Sequence, residues 1–160
     1  MRLLIPLLIA VVLGTSSLLA QSGTSTETDR LIGRWVLNPL KSTYTPGPGP
    51  TSDIRTYARG PNGLVATIQR RFANGRSQQI EYIAEYDREY PVTGTEEYDH
   101  LLLKRVDAYT AESVLSHANK VYGTARRHVT ADGKTMTITF NRNLSGSLVN
   151  NVSVYRKEEE

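Results

Sequence analysis

From Gly33 almost to the last residue, apolar and polar side chains alternate in short runs, and most runs end in glycine, proline, asparagine or aspartate. Period-two alternation marks a strand with one buried face, and clusters of those turn residues mark where the chain reverses. The pattern predicts strands over residues 33–37, 52–59, 64–72, 77–86, 98–106, 109–117, 120–129, 135–142 and 148–156. Gly60-Pro61-Asn62-Gly63, Asn74-Gly75 and Asp132-Gly133 supply tight hairpin turns, while residues 87–94 form a less regular link. Nowhere from Arg30 onward do apolar residues recur at intervals of three and four over a helix's length.

The expected fold is therefore all-β, with about eight or nine antiparallel strands, since the connections are too short for the crossovers that parallel pairs need. A sheet of that many sequence neighbours removes its raw edges by closing on itself, which predicts an up-and-down β-barrel. A two-sheet sandwich is the alternative. An eight-stranded barrel has an interior that side chains fill or that holds one small ligand.

Alternation also assigns faces. Leu64, Ala66, Ile68, Arg70 and Phe72 share one side of their strand, and Ile80, Tyr82, Ala84 and Tyr86 share one side of the next. Later strands offer Ala111, Ser113 and Leu115, then Val121, Gly123 and Ala125, then Met136, Ile138 and Phe140, then Val152 and Val154. Thr67, Gln69, Arg71, Gln79, Glu81, Glu85, Thr135, Thr137 and Thr139 fall on the opposite, solvent face. The small inward residues either leave the lumen partly open or receive large neighbours such as Tyr82 and Phe140. Arg70 and Arg127 are in phase with the inner face. Because an unpaired buried charge is costly, each is expected to reach a carboxylate or an acidic ligand, or to lie at a rim, and the rim is favoured.

The first thirty residues belong to a different pattern. Met1-Arg2, an apolar run over residues 3–13 and a small-residue approach to Ala20 read as a secretory signal peptide, with an uncleaved anchor as the rival reading. The expected organisation is a signal peptide over residues 1–20, a flexible segment over 21–30 and one barrel domain over 31–157. Export to the periplasm or beyond follows, with no stable membrane insertion once the leader is cut. The chain contains no cysteine, so disulfides and thiolate metal sites are excluded and stability rests on the core.

Charge narrows the partners. Cutting the leader takes one positive charge, Arg2, from 19 Lys plus Arg against 16 Asp plus Glu, leaving a net of about +2. That balance does not point to nucleic acid, whose binders cluster Lys and Arg on one face. Residues 45–50, Thr-Pro-Gly-Pro-Gly-Pro, form an extended loop that either lies across a barrel mouth or serves as a spacer.

Candidate chemistry is sparse. His100, His117 and His128 lie on separate strands without metal-ligand spacing; His100, beside Leu101-Leu102-Leu103, would be the first choice for a haem ligand in a barrel. No serine sits in a nucleophile elbow, and Glu96, Glu97 and Asp99 read as solvated loop charge rather than an acid–base pair. No catalytic residue, metal site or cofactor is expected. The sequons Asn143-Leu144-Ser145 and Asn151-Val152-Ser153 matter only in a host that glycosylates them.

Gly33-x-Trp35 at the mouth of the first strand, the unbroken meander and a basic residue late on the last strand resemble the lipocalin-like, or calycin, architecture. That resemblance implies structural roles for Gly33 and Trp35, with Arg156, or its neighbour Lys157, packing over the tryptophan. Asn38-Pro39-x-Lys41-Ser42-x-Tyr44, Tyr90-Pro91-Val92-x-Gly94 and Arg105-x-Asp107-x-Tyr109 are similar to a group of small exported bacterial proteins without an assigned activity.

The functional expectation is a monomeric barrel holding a small apolar or amphipathic ligand, its site shaped by Arg70, Phe72, Tyr82, Tyr86, Ser113 and Phe140. An envelope interaction protein without a ligand and a haem- or cofactor-dependent barrel enzyme are the alternatives.

Overall fold

A computed structural model describes residues 29–144 and 146–159. The expected signal peptide and residues 21–28 of the flexible segment lie outside the described residues. Eleven strands follow in order: β1 (Gly33–Leu37), β2 (Thr43–Thr45), β3 (Ser52–Gly60), β4 (Gly63–Arg71), β5 (Ser77–Ala84), β6 (Glu89–Pro91), β7 (His100–Arg105), β8 (Thr110–His117), β9 (Lys120–Val129), β10 (Thr135–Leu144) and β11 (Ser147–Lys157). They join into one sheet in the order β5-β4-β3-β1-β11-β10-β9-β8-β7-β6, with every strand pair antiparallel. The fold is a nearly closed, lipocalin-like β-barrel, and the single continuous sheet rules out the sandwich.

The excess over eight or nine strands comes from β2 and β6, three residues each, too short to show a period-two pattern. β1 and β2 both pair with β11, at its two ends, so they form one stave interrupted by the short 3-10 turn Pro39–Lys41. The Asn38-Pro39-x-Lys41-Ser42-x-Tyr44 motif builds this interruption. Pro39 has no N–H to offer the ladder. Ser42 replaces the missing backbone partner: its Oγ accepts from the Val154 N–H at 3.0 Å and donates to the Asn38 carbonyl at 2.8 Å. Beyond the turn, Tyr44 reaches inward to Ser153, with the hydroxyls 3.0 Å apart.

Closure falls between β5 and the segment after β6. Glu81 and Thr93 exchange both backbone hydrogen bonds, at 3.0 and 3.1 Å, and Val92 inserts into the core. Gly94 follows at φ +82°, and a Cβ there would stand 1.7 Å from the Gln79 carbonyl oxygen. The Tyr90-Pro91-Val92-x-Gly94 motif is thus the closing seam. We expect Gly94→Ala to destabilise the barrel by at least about 1–3 kcal/mol from the backbone conformation alone. The check is a lower urea midpoint together with lost hydrogen-exchange protection at the Glu81 N–H; an unchanged midpoint would refute the seam's importance.

Trp35 is fully buried near one end of the barrel and donates its indole N–H to the Leu31 carbonyl at 2.8 Å. The side chain over its ring is Lys157, with Nζ 5.4 Å from the centroid, whereas Arg156 is exposed. This corrects the expectation for Arg156. Arg156 falls out of phase because inward Tyr155 takes the position before it, and Lys157 stands opposite Trp35 in the β1–β11 register. Gly33 makes room: at φ +133°, a Cβ on it would lie 2.4 Å from the Lys157 stem.

The inner face matches the alternation through β4, β5, β8 and β10, where Leu64, Ala66, Ile68, Ile80, Tyr82, Ala84, Ala111, Leu115, Met136 and Ile138 are buried. Two strands depart from it. In β11 the inward residues are Ser153 and Tyr155, not Val152 and Val154, because that face meets the polar partners Tyr44 and Arg55. In β9 a bulge pairs Leu115 with Gly123 and then Ser116 with Val121, which leaves Val121 60% exposed and gives Tyr122 to the lumen.

Candidate binding cavity in the barrel lumen

A cavity of about 310 Å³ occupies the lumen on the side away from the buried Trp35. Its walls are both apolar and charged. Ile68, Leu101, Leu115 and Ile138 form apolar wall, and Phe72, Tyr98, Tyr122 and Phe140 form an aromatic rim. Tyr122 bridges that rim, with ring centroids 5.9 Å from Tyr98 and 6.2 Å from Phe140. Arg76 lies over the Phe72 ring and Arg142 over the Tyr122 ring, so the entrance carries cations stacked on aromatic faces. The Pro-Gly loop lines the same entrance through Pro46, Pro48, Gly49 and Pro50, so it lies at the mouth rather than acting as a spacer. Gly49 lets it settle on the ring of Tyr44, where a Cβ would overlap the aromatic carbons.

Small inward residues turn out to serve both expected purposes. Phe140 fills the space over Gly123, where a Cβ would stand 2.8 Å from the ring, and Tyr82 faces Ala66 across the β4–β5 pair. The remaining room is the cavity.

Beneath the rim is a buried charge cluster. β3 turns Asp53, Arg55 and Tyr57 inward, so the alternation that makes Ile54 half-exposed sends two ionised groups into the lumen. Arg55 grips the Asp53 carboxylate with two bonds, Nε to Oδ1 and Nη2 to Oδ2, each 3.0 Å. Arg70 adds a third from Nε at 3.0 Å. Burial by itself would raise the Asp53 carboxyl, but Arg55 and Arg70 outweigh it and hold the group below its usual value. Arg55 also lies over the Tyr155 ring, 5.1 Å from the centroid.

Arg127 is the second charged feature. It is 4% exposed and reaches no carboxylate among the described residues. Its Nη1 donates to Ser113 Oγ at 2.6 Å and its Nη2 to the Tyr82 hydroxyl at 3.5 Å, while its Nε has no partner. The favoured rim position is corrected for this residue: β9 carries Arg127 two residues beyond Ala125 on the inner face, where it is buried in the lumen against Ser113 and Tyr82. Burial pushes the Tyr82 phenol up; at Tyr57 burial does the same, but Arg127 and Arg55 outweigh it and leave that phenol below its ordinary value.

Of the residues expected to shape a site, Arg70, Phe72, Tyr82 and Phe140 line this cavity together. Ser113 stands behind its wall as the partner of Arg127. Tyr86 does not join them. It sits beyond the end of β5, where its hydroxyl donates to Asp29 at 2.6 Å and Arg105 covers its ring. Alternation put Tyr86 on the inner face but could not say that β5 ends at Ala84.

None of the three histidines lines the cavity. His100 and His117 both turn to Asp99, and His128 to the Thr110 hydroxyl. The position expected of a haem ligand is therefore not occupied by His100.

Sequence reasoning missed Asp53, Arg55, Tyr98 and Tyr122. The first two carry a usable signal, since Asp53, Arg55 and Tyr57 share a phase, but a charged face normally reads as the solvent face. Tyr122 has no local signal, because the bulge that turns it inward is decided by the neighbouring strand. The class defined by fold and cavity is a lipocalin-like barrel with a charged lumen. No protein-family model matches the chain, and no curated protein matches it.

Proposed function

We propose that the chain is an exported, monomeric barrel that binds a small amphipathic molecule in its lumen, akin to the small exported bacterial proteins whose motifs it resembles. The observation that supports this reading most directly is the cavity itself. It is roofed by a proline-rich loop and aromatic rings, and it combines apolar wall with buried cationic groups, the mixture by which ligand sites bind a body and orient a head. A barrel that needed only stability would gain by filling this space, because interiors otherwise pack to the density of organic crystals.

The experiment is native mass spectrometry of the protein isolated from its own host. A bound species of one mass, released on denaturation, is expected. Retention that survives Phe140→Trp, which fills the space beneath the rim, would argue against the lumen as its location. Protein that is free of any small molecule and captures none from a host extract would overturn the reading.

A further inference from the structure

We infer that the Trp35 end of the barrel carries a second site, a basic groove that docks an extended acidic peptide segment of a partner protein, and that Glu158 and Glu159 of this chain occupy it as an intramolecular competitor. The inference goes beyond lumen binding and does not depend on it.

The groove, of about 1480 Å³, lies between the start of β1, the end of β3 and the Asp132-Gly133 turn, and shares no lining residue with the lumen cavity. Six cations line it: Arg30, Arg34, Arg59, Lys134, Arg156 and Lys157. Of its four acidic groups, two are engaged by other partners. Asp29 accepts from Arg105 and from the Tyr86 hydroxyl, and Asp132 accepts from the Thr130 hydroxyl and the Lys134 N–H. The other two, Glu158 and Glu159, belong to the segment that leaves β11. Among the described residues, Arg59 and Arg156 meet no carboxylate.

The seated segment shows what the groove recognises. Where β11 runs out between β1 and the β9–β10 turn, the Lys157 N–H donates to the Lys134 carbonyl and the Glu158 N–H to the Arg34 carbonyl, each at 2.8 Å. The Glu158 carboxylate pairs with Arg34, and Glu159 Oε1 lies 3.7 Å from Lys134 Nζ. Backbone bonding at a sheet edge, with side-chain contacts for specificity, is a general mode by which a sheet captures an extended peptide. Both ion pairs here are exposed, and exposed pairs contribute little, so a segment bearing more carboxylates can displace this one. It also supplies partners to Arg59 and Arg156. An anionic bilayer suits the groove less well. None of the exposed large apolar side chains among the described residues, Leu40, Ile83, Val106, Val121 and Leu148, lines it to insert into lipid.

The test is binding of fluorescently labelled hexaglutamate, with hexaglutamine as the uncharged control, followed by anisotropy in low-salt buffer. Glu158→Gln with Glu159→Gln is expected to bind hexaglutamate about threefold tighter than the parent or better, the worth of two exposed pairs. Glu96→Gln with Glu112→Gln makes the same change in net charge outside the groove and should leave the affinity at the parent's value. Arg59→Gln with Arg156→Gln should weaken hexaglutamate binding in the parent and in the Glu158 and Glu159 variant alike; all four substituted groove residues are exposed, so the fold is not at stake. Equal tightening in the two glutamate variants would reduce the effect to net charge and overturn the inference. Hexaglutamate binding that persists without Arg59 and Arg156, or that is no tighter than hexaglutamine binding, would overturn it as well. Sedimentation with vesicles of phosphatidylglycerol and phosphatidylcholine that requires Arg59 and Arg156, in the absence of peptide binding, would replace the peptide by a lipid surface. Each of these results leaves the lumen reading untouched.

Discussion

Replacing Asp53 by Asn is expected to destabilise the barrel by about 3–5 kcal/mol, the cost of removing one partner from a buried ion pair and leaving the other charge without compensation. Here the loss falls on two cations, because Arg55 and Arg70 share the one carboxylate, which is 1% exposed. The corresponding apolar replacement of the whole cluster, Asp53→Leu with Arg55→Met and Arg70→Met, should be far milder than the single change, since desolvation of the charges is then also relieved. Equilibrium urea denaturation followed by far-UV circular dichroism measures both. A single variant as stable as the parent would show that the three groups are hydrated or mobile rather than locked.

The same carboxylate sets an acid limit. Its folded-state value lies below that of the unfolded chain, so its contribution to stability is fully present above about pH 4 and is lost as pH falls through the folded value. Between pH 5 and 8 this group leaves stability flat. Asp53→Asn should remove the part of the acid-induced decline that belongs to it, so that the stabilities of the two proteins converge as pH is lowered.

The second large effect belongs to Trp35. Trp35→Ala is expected to cost about 3–5 kcal/mol through the cavity it opens at a fully buried site. The smaller change Trp35→Phe keeps most of the packing and leaves the Leu31 carbonyl without its donor, for roughly 1–3 kcal/mol. Far-UV circular dichroism is again the probe, because Trp35 is the only tryptophan and its fluorescence goes with it. If Trp35→Ala were tolerated without loss, the end of the barrel would have to be closed by some other contact. Ligand binding in the lumen should survive Trp35→Phe, since Trp35 does not line the cavity.

These effects show where the chain's pattern was sufficient and where it was not. Strand positions, hairpin turns and the inner faces of β4, β5, β8 and β10 follow from alternation, because a strand's side chains obey a period of two regardless of what they pack against. The structural weight of Gly33 and Trp35 was likewise legible, as was the grouping of Arg70, Phe72, Tyr82 and Phe140 on the lumen side. Choosing between Arg156 and Lys157 was not, since that depends on one residue of register between β1 and β11.

Burial of charge was the other matter that local pattern could not reach. Asp53 and Arg55 read as surface residues until the sheet closes over them, while Arg70 reaches Asp53 from the position opposite it in the β3–β4 pair. Arg127 is buried for the same reason: β8 and β5 bring Ser113 and Tyr82 to it from residues 14 and 45 positions away. The sequence by itself determined an all-β meander with a tryptophan at one end, because those features are set by neighbours along the chain. The tertiary structure alone decided which charges are buried in the lumen and which of them lacks a counterion among the described residues, because that burial, and the approach of Tyr82 to Arg127, exist only after the barrel has closed.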